Sequence, residues 1–219
     1  MIAELMPAAV AAAQSFGEPD ATPPVFAQEA ALIERALLSR RREFSTVRAC
    51  AREAMSRLGF PPAPILHGAQ GEPLWPGGLV GSMAHCEGYR VAALARAEEV
   101  AMVGVDAEPN EPCPDGIREL IAGPGELAML VELDARHPDI AWDRLLFSAK
   151  ECVYKAWYPL ARRWLGFEDA AVVLEPESET FTAHLLSSGP VVNGVRLSVL
   201  RGRWTAQQGL LVTAIAVPA

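Results

Sequence analysis

Two short stretches carry residues whose types and spacing suit charged chemistry. One is the strand-like run VGVDAE, which ends in Asp106, Ala107 and Glu108 and is followed by Pro109. Strand alternation points Asp106 and Glu108 to one face, with Cα atoms ~6.6 Å apart. At an effective dielectric of about 20, two bare carboxylates at that range repel by roughly 2–3 kcal/mol. Nothing cationic stands beside them in the sequence. A hard divalent cation would relieve the repulsion, and Mg²⁺ is commonly held by one or two carboxylates plus substrate phosphates. The ordinary alternative is acidic residues gathering at the polar end of a strand before a turn. The other stretch is FSAKECVYKAW, residues 147–157, which reads as one helix with Glu151 and Lys155 a turn apart on the same face. Among 19 basic residues the only lysines are Lys150 and Lys155. A compact ammonium with three donors suits a phosphate at a reacting centre. A Glu–Lys pair at this spacing is equally a common exposed helix pair worth ~0.2–0.5 kcal/mol.

The elements that must position these residues can be read in order. Residues 1–26 look like a short apolar segment followed by a Gly- and Pro-rich loop. Residues 28–58 read as helical, with Ser39 as a break or cap. In the second half Phe44, Val47, Ala51, Met55 and Leu58 form one apolar stripe. Arg40, Arg41, Arg48 and Arg52 lie off it, and the stretch from Glu34 to Arg57 holds seven Arg against three Glu. That basic patch is either a solvated helix face or a phosphate clamp, for which planar Arg forks are well suited. Residues 59–76 should be loop, carrying His67 and Gln70. Strands follow at 80–85 and 89–96, and the run ending at Glu108 reads as the return strand of a hairpin with 91–95. Short helical pieces are expected around 116–121 and 125–135, forming either a cover or a connector. The helix bearing Glu151 should begin near Trp142 or Leu146 and end or bend at Pro159. Strands at 170–174, 181–185, 195–203 and 210–217 complete the chain. This order predicts an α+β fold in two lobes, divided as 1–109 and 110–219, with a site between them.

Composition narrows the classes. With 219 residues and 51% hydrophobic content the chain can bury a substantial core. A net charge of −8 argues against general nucleic-acid binding, which wants a basic field. The four cysteines show no metal-ligand spacing and read as reduced thiols of a cytosolic protein. No apolar run is long enough to span a bilayer, and the start MIAELMPAAVAAAQS lacks the positive residues of a signal peptide. A soluble, cytoplasmic monomer is the expectation. No P-loop or kinase-like glycine pattern supports a nucleotide phosphotransferase.

Three separated stretches, GSMAH (81–85), VGVDAEP (103–109) and FSAKECVYKAW (147–157), fall into one pattern. Together they resemble the stand-alone 4′-phosphopantetheinyl transferases of the surfactin-synthetase type. RREFSTVRACAR (41–52), PPAPIL (61–66), GEPLWP (71–76), RWLGFEDA (163–170) and RGRW (201–204) bring the match closest to the PptT-like branch. The resemblance covers about residues 35–217, and the joint occurrence of G-V-D-x-E and K-E-x-x-Y-K at this separation is specific.

The resemblance implies transfer of phosphopantetheine from coenzyme A to a serine of an apo acyl or peptidyl carrier protein, releasing adenosine 3′,5′-bisphosphate. It also implies two similar, pseudo-twofold α+β halves, each a small antiparallel sheet with a long helix, and the coenzyme A site between them. Asp106 and Glu108 match the family's Mg²⁺ ligands, with the Ala107 carbonyl as a further contributor. Glu151 matches the third acidic position, as metal ligand, as base on the carrier serine, or as both. Lys155 matches the lysine on the coenzyme A phosphates, and His85 with Ser82 the phosphate-binding segment. Arg40 and Arg48 match basic residues at the 3′-phosphate and adenine end. His67 and Gln70 stand where relatives often carry lysines, which weakens a charge-based grip by that loop. Tyr154 and Trp164 match the branch's pantetheine tunnel. The implied chemistry needs no covalent enzyme intermediate, so the cysteines, Cys152 included, are expected to be structural.

Overall fold

The computed structural model describes residues 1–19 and 21–219. The first lobe contains α1 (Ile2–Leu5), β1 (Val10–Phe16), α2 (Ala27–Leu32), α3 (Leu38–Arg57), β2 (Leu66–His67), β3 (Pro73–Leu74), β4 (Leu79–Cys86) and β5 (Tyr89–Arg96). Its sheet has the order β1-β5-β4, antiparallel throughout. The opening segment, expected only to be apolar, is thus an edge strand paired with β5 from Val10↔Ala95 to Phe16↔Tyr89.

The 20-residue helix α3 lies against this sheet. Phe44, Val47, Ala51 and Met55 of the expected stripe are buried, burying apolar surface between helix and sheet. The helical region is two helices, and Ser39 does not divide them. The break lies at 33–37, and Ser39 sits inside α3. Glu29 caps and anchors the separate α2. Its buried carboxylate accepts the Phe26 N–H at 2.8 Å, the Ile65 N–H at 2.8 Å and Arg52 Nη1 at 3.1 Å. That carboxylate therefore ties α2, α3 and the 61–65 loop together. Within the predicted loop, β2 and β3 form a minimal ladder.

The second lobe contains β6 (Val100–Pro109), α4 (Ile117–Ile121), α5 (Pro124–Arg136), α6 (Trp142–Ala161), β7 (Ala170–Glu175), β8 (Thr180–Leu185), β9 (Val191–Val192), β10 (Val195–Arg196), β11 (Val199–Gln207) and β12 (Leu210–Pro218). Its sheet has the order β6-β12-β11-β8-β7. The expected hairpin between 91–95 and the Asp106 strand is not formed. β6 instead pairs with β12, from Leu210↔Pro109 to Pro218↔Val100, so the hydrogen-bonding boundary between the sheets falls at 97–99 rather than after 109. The expected strand 195–203 is interrupted, and its first residues form the small β9–β10 ladder.

α6, also 20 residues long, covers β6 and β12. It continues two residues past Pro159, where the missing N–H affects only the last turn, and ends at Arg162 with φ 52°. Gly104 permits its close approach: a Cβ there would stand 2.3 Å from the Cys152 carbonyl oxygen. The lobes meet where β4 runs beside β6. The Val105 N–H on that outer edge of β6 donates to Ser82 Oγ of β4 at 3.1 Å. The fold is α+β, a small antiparallel sheet with a 20-residue helix in each lobe. Among the described residues no helix is long and apolar enough to cross a membrane.

Candidate active site

One stripe of α6 carries Arg144, Ser148, Glu151 and Lys155, spaced by four, three and four residues so that their side chains rise from the same side. Because Gly104 lets the helix lie close, this stripe faces the acidic end of β6. Ser148 Oγ and Thr213 Oγ1 lie 2.9 Å apart and fasten the helix to β12. Lys155 Nζ donates to Asp106 Oδ1 at 2.6 Å, and Arg144 Nη1 donates to Glu108 Oε2 at 3.2 Å. The repulsion expected between the two carboxylates is thus relieved by cations from a distant part of the chain. Lys155 pairs with Asp106 and not with Glu151, so the anticipated helix pair is replaced by a helix-to-strand pair.

Asp106 is 5% exposed, and its second oxygen, Oδ2, is buried with no hydrogen-bond partner. A buried, partnerless carboxylate oxygen is costly unless a cation or donor meets it. Burial raises the pKa of Glu151 above the usual carboxylate value, and the charge of Asp106 adds to this against Lys155. Burial and Asp106 likewise raise that of Glu108, opposed by Arg144. Burial acts to lower the Lys155 pKa, but the charge and hydrogen bond of Asp106, with Glu151, outweigh it and hold the ammonium above its ordinary value. Ala107 points its side chain to the opposite face, into the apolar core.

Toward α3 the surface opens into a cleft of ≈ 380 Å³ lined by Arg40, Arg48, His67 and His85. Arg40 Nη1 stands 2.7 Å from His85 Nε2. Guanidinium can only donate, so this nitrogen accepts and the ring is neutral in this arrangement. Burial, then Arg40, lowers the His85 pKa, with Lys155 and Arg90 in the same direction and Glu43 opposing. Arg48 departs from its expected place off the apolar stripe. It is 6% exposed, donates from Nε to the Ile65 carbonyl at 3.0 Å and stacks 3.3 Å above the Phe44 ring. Burial foremost lowers its pKa to about 10. His67 and Gln70 are exposed on the rim.

Two further clefts continue from there. One, ≈ 220 Å³, is lined by Gln70, Ser82, Glu151, Tyr154 and Lys155. The next, ≈ 280 Å³, shares Glu151 and Tyr154 and adds Trp164 and Phe167. Tyr154 lies 5.1 Å from Trp164 and 5.6 Å from Tyr158, ring centre to ring centre. A larger cleft of ≈ 580 Å³, beside Met6, Thr182 and Arg201, contains none of these residues. The structure therefore places Arg40, Arg48, His67, His85, Gln70, Ser82, Glu151, Lys155, Tyr154 and Trp164 along one run of clefts.

Several partners were not evident in the sequence. Arg144 could have been found by extending the Glu151–Lys155 stripe two turns back. Lys150 could not. Its ammonium is buried, donating to Glu126 Oε2 at 2.9 Å and to the Phe167 carbonyl at 2.7 Å, so that it touches the wall of the Trp164 cleft with its charge already paired. Burial pushes the thiols up, to about 12 for Cys86 and about 11 for Cys50 and Cys113, which leaves them protonated and poor nucleophiles.

The 4′-phosphopantetheinyl transferase N-terminal domain pattern matches residues 28–95, and the pattern of the 4′-phosphopantetheinyl transferase superfamily matches 102–206. The chain belongs to the 4′-phosphopantetheinyl transferase family. It is 52% identical over 221 residues to the 4′-phosphopantetheinyl transferase Svp of Streptomyces mobaraensis, covering all of this chain and 90% of that protein. It is 45% identical over 226 residues to the transferase PptT of Mycobacterium tuberculosis, covering 99% and 98%. The transferase Npt of Nocardia iowensis is 41% identical over 224 residues, covering 99% of each. The present phosphopantetheinyl transferase divides between the two patterns at 96–101, the same place where hydrogen bonding passes from the first sheet to the second.

Proposed function

We propose that this transferase moves the phosphopantetheine arm of coenzyme A to a serine of apo acyl or peptidyl carrier proteins, releasing adenosine 3′,5′-bisphosphate. The observation that carries this reading is Asp106, whose buried, partnerless Oδ2 stands where three charged elements converge: the end of β6, Lys155 and Glu151.

Such an oxygen suits a hard cation. Among the described residues no three His, Cys, Asp or Glu side chains stand close enough together to hold a metal ion. Mg²⁺ is usually held by one or two carboxylates plus substrate phosphates. Asp106 Oδ2 would be the first ligand of Mg²⁺, and Glu108 and Glu151 would be drawn in by the ion with its substrate phosphates, with the Ala107 carbonyl as a further oxygen. When bound, the ion supplies charge neutralisation on the pyrophosphate. The chain's own residues do the rest. Lys155 and His85 meet phosphate oxygens, and they neutralise the charge that grows on the leaving group. Arg40 and Arg48 hold the 3′-phosphate and adenine end, with His67 and Gln70 on the rim. Ser82 shapes the wall beside them. Tyr154 and Trp164 flank the pantetheine arm.

Glu151 is the base. A raised pKa brings a carboxylate closer to the basicity needed to take a proton from a serine hydroxyl. The serine oxygen forms its bond to the β-phosphorus as the bond from that phosphorus to the leaving phosphate oxygen breaks, and the hydroxyl proton goes to Glu151. The nucleotide leaves as adenosine 3′,5′-bisphosphate. Incubation with coenzyme A, Mg²⁺ and an apo carrier domain, followed by intact mass measurement, should show the carrier gaining one phosphopantetheine. No gain on any of several acyl and peptidyl carriers would sink the assignment.

A further inference from the structure

The chain leaves β6 toward α4 through residues 108–113, and one side chain fastens that exit. Arg144, in the first turn of α6, spends its whole fork there. Nη1 donates to Glu108 Oε2 at 3.2 Å, Nε to the Glu111 carbonyl at 3.2 Å, and Nη2 to the Pro112 carbonyl at 3.1 Å. The neighbouring Asp143 accepts the Cys113 N–H at 3.0 Å. Asn110 adds two ties to the approach of the same helix, accepting from the Ala141 N–H and donating to the Asp139 carbonyl, both at 2.9 Å. The guanidinium and the Glu108 carboxylate are both mostly shielded, at 18% and 20% side-chain exposure.

Three acceptors in different directions match a planar fork with fixed donors. They do not match an ammonium, which is a single rotatable point. Glu108 stands at the last position but one of β6, next to Pro109, so without the fork its carboxylate would be free to turn to solvent. We propose that Arg144 is a positioning residue for the transferase reaction, strapping the 108–113 exit to α6 and thereby holding the Glu108 carboxylate beside Asp106. The inference rests on the function proposed above, in which that edge meets a divalent cation. It adds a role for a residue outside the acidic set. Arg144 acts through Glu108 and touches no substrate.

The test uses the full chain with Arg144→Ala and Arg144→Lys. Three quantities are read: amide exchange across 108–113, Mn²⁺ affinity by calorimetry without carrier, and turnover. Both variants should exchange faster over 108–113 while α6 stays protected. Both should lose about tenfold in Mn²⁺ affinity and in kcat, as removal of a residue that orients a metal-facing carboxylate does, with the KM for coenzyme A unchanged. Wild-type exchange in Arg144→Ala, or Mn²⁺ binding that is unchanged or tighter, overturns the proposal. So does full recovery in Arg144→Lys, since charge alone would then suffice. The lysine variant keeps the charge and the stem, so it covers the case in which alanine disturbs folding. A wild-type protein that modifies no apo carrier would overturn the transferase reading alone, because the exchange measurement reads the strap without turnover.

Discussion

The acidic edge of β6 beneath α6 and the cleft beside α3 hold their charges differently. At the β6–α6 end, the fold has already matched each carboxylate with a cation, Asp106 with Lys155 at 2.6 Å and Glu108 with Arg144 at 3.2 Å. At the α3 end, Arg40 is 53% exposed on its side chain and holds only Glu43 at 3.3 Å and a neutral His85. Interactions among buried groups are little screened by water or salt, whereas exposed ones are weak. The first end thus fixes geometry before substrate arrives. The second leaves the exposed Arg40 guanidinium with cationic capacity that, on the proposed function, the substrate's own phosphates would fill. Chemistry at one end and recognition at the other would account for this difference.

The largest effect is expected from breaking the prepared end. Asp106→Ala removes the partner of Lys155 and the oxygen that faces the proposed cation. Turnover should fall by more than about 10²-fold, beyond the loss typical of residues that only support a metal ligand. The protein should remain folded, because Lys155 is 30% exposed and can turn its ammonium to water. Near-ultraviolet circular dichroism checks the fold, and the carrier mass assay checks turnover. Normal activity in this variant would remove Asp106 from the site.

How much of this contrast was visible in the sequence depended on the separation of the partners. The α3 stripe, the strands at 80–85 and 89–96 and the Glu151–Lys155 face are local patterns, and each appears in the fold. By local pattern the Asp106 strand reads as half of a hairpin, because its neighbours 97–99 look like a tight polar turn. Its actual partner, β12, begins about a hundred residues later, and no local period reveals such a pairing. Gly104 carries no signal by itself, yet it sets how near α6 comes. Arg48 looked like a surface cation by spacing, and only the packing of the 61–65 loop buries it. Lys150 shared the rarity that drew attention to Lys155, but Glu126, 24 residues away, turned it into a core strut.

A middle-sized effect is expected at the recognition end. Arg48→Ala should raise the KM for coenzyme A by about tenfold, the value of one charge-assisted hydrogen bond. It should act much less on dephospho-coenzyme A, which lacks the 3′-phosphate. The variant also loses the tie to Ile65, so a general loosening of the 61–65 loop would raise both constants equally and would contradict a phosphate role.

The smallest effect sharpens the comparison from its midpoint, His85. Burial and the facing cations Arg40, Lys155 and Arg90 keep its pKa below the ordinary 6.5, with only Glu43 opposing. The free ring is therefore neutral at neutral pH. A phosphate in the cleft would favour the imidazolium and raise the pKa in the complex. Coenzyme A affinity should then be greatest below the free pKa, fall as pH rises between the free and bound values, and level off above the bound one. The slope cannot exceed one proton, so the change is at most about tenfold per pH unit. Calorimetric titration of coenzyme A in buffers of different ionisation enthalpy should show net proton uptake near neutral pH. His85→Gln should abolish that uptake while keeping most of the affinity, because Arg40 and Lys155 remain. Equal proton uptake in the variant would place the titrating group elsewhere and leave His85 as a neutral acceptor for Arg40.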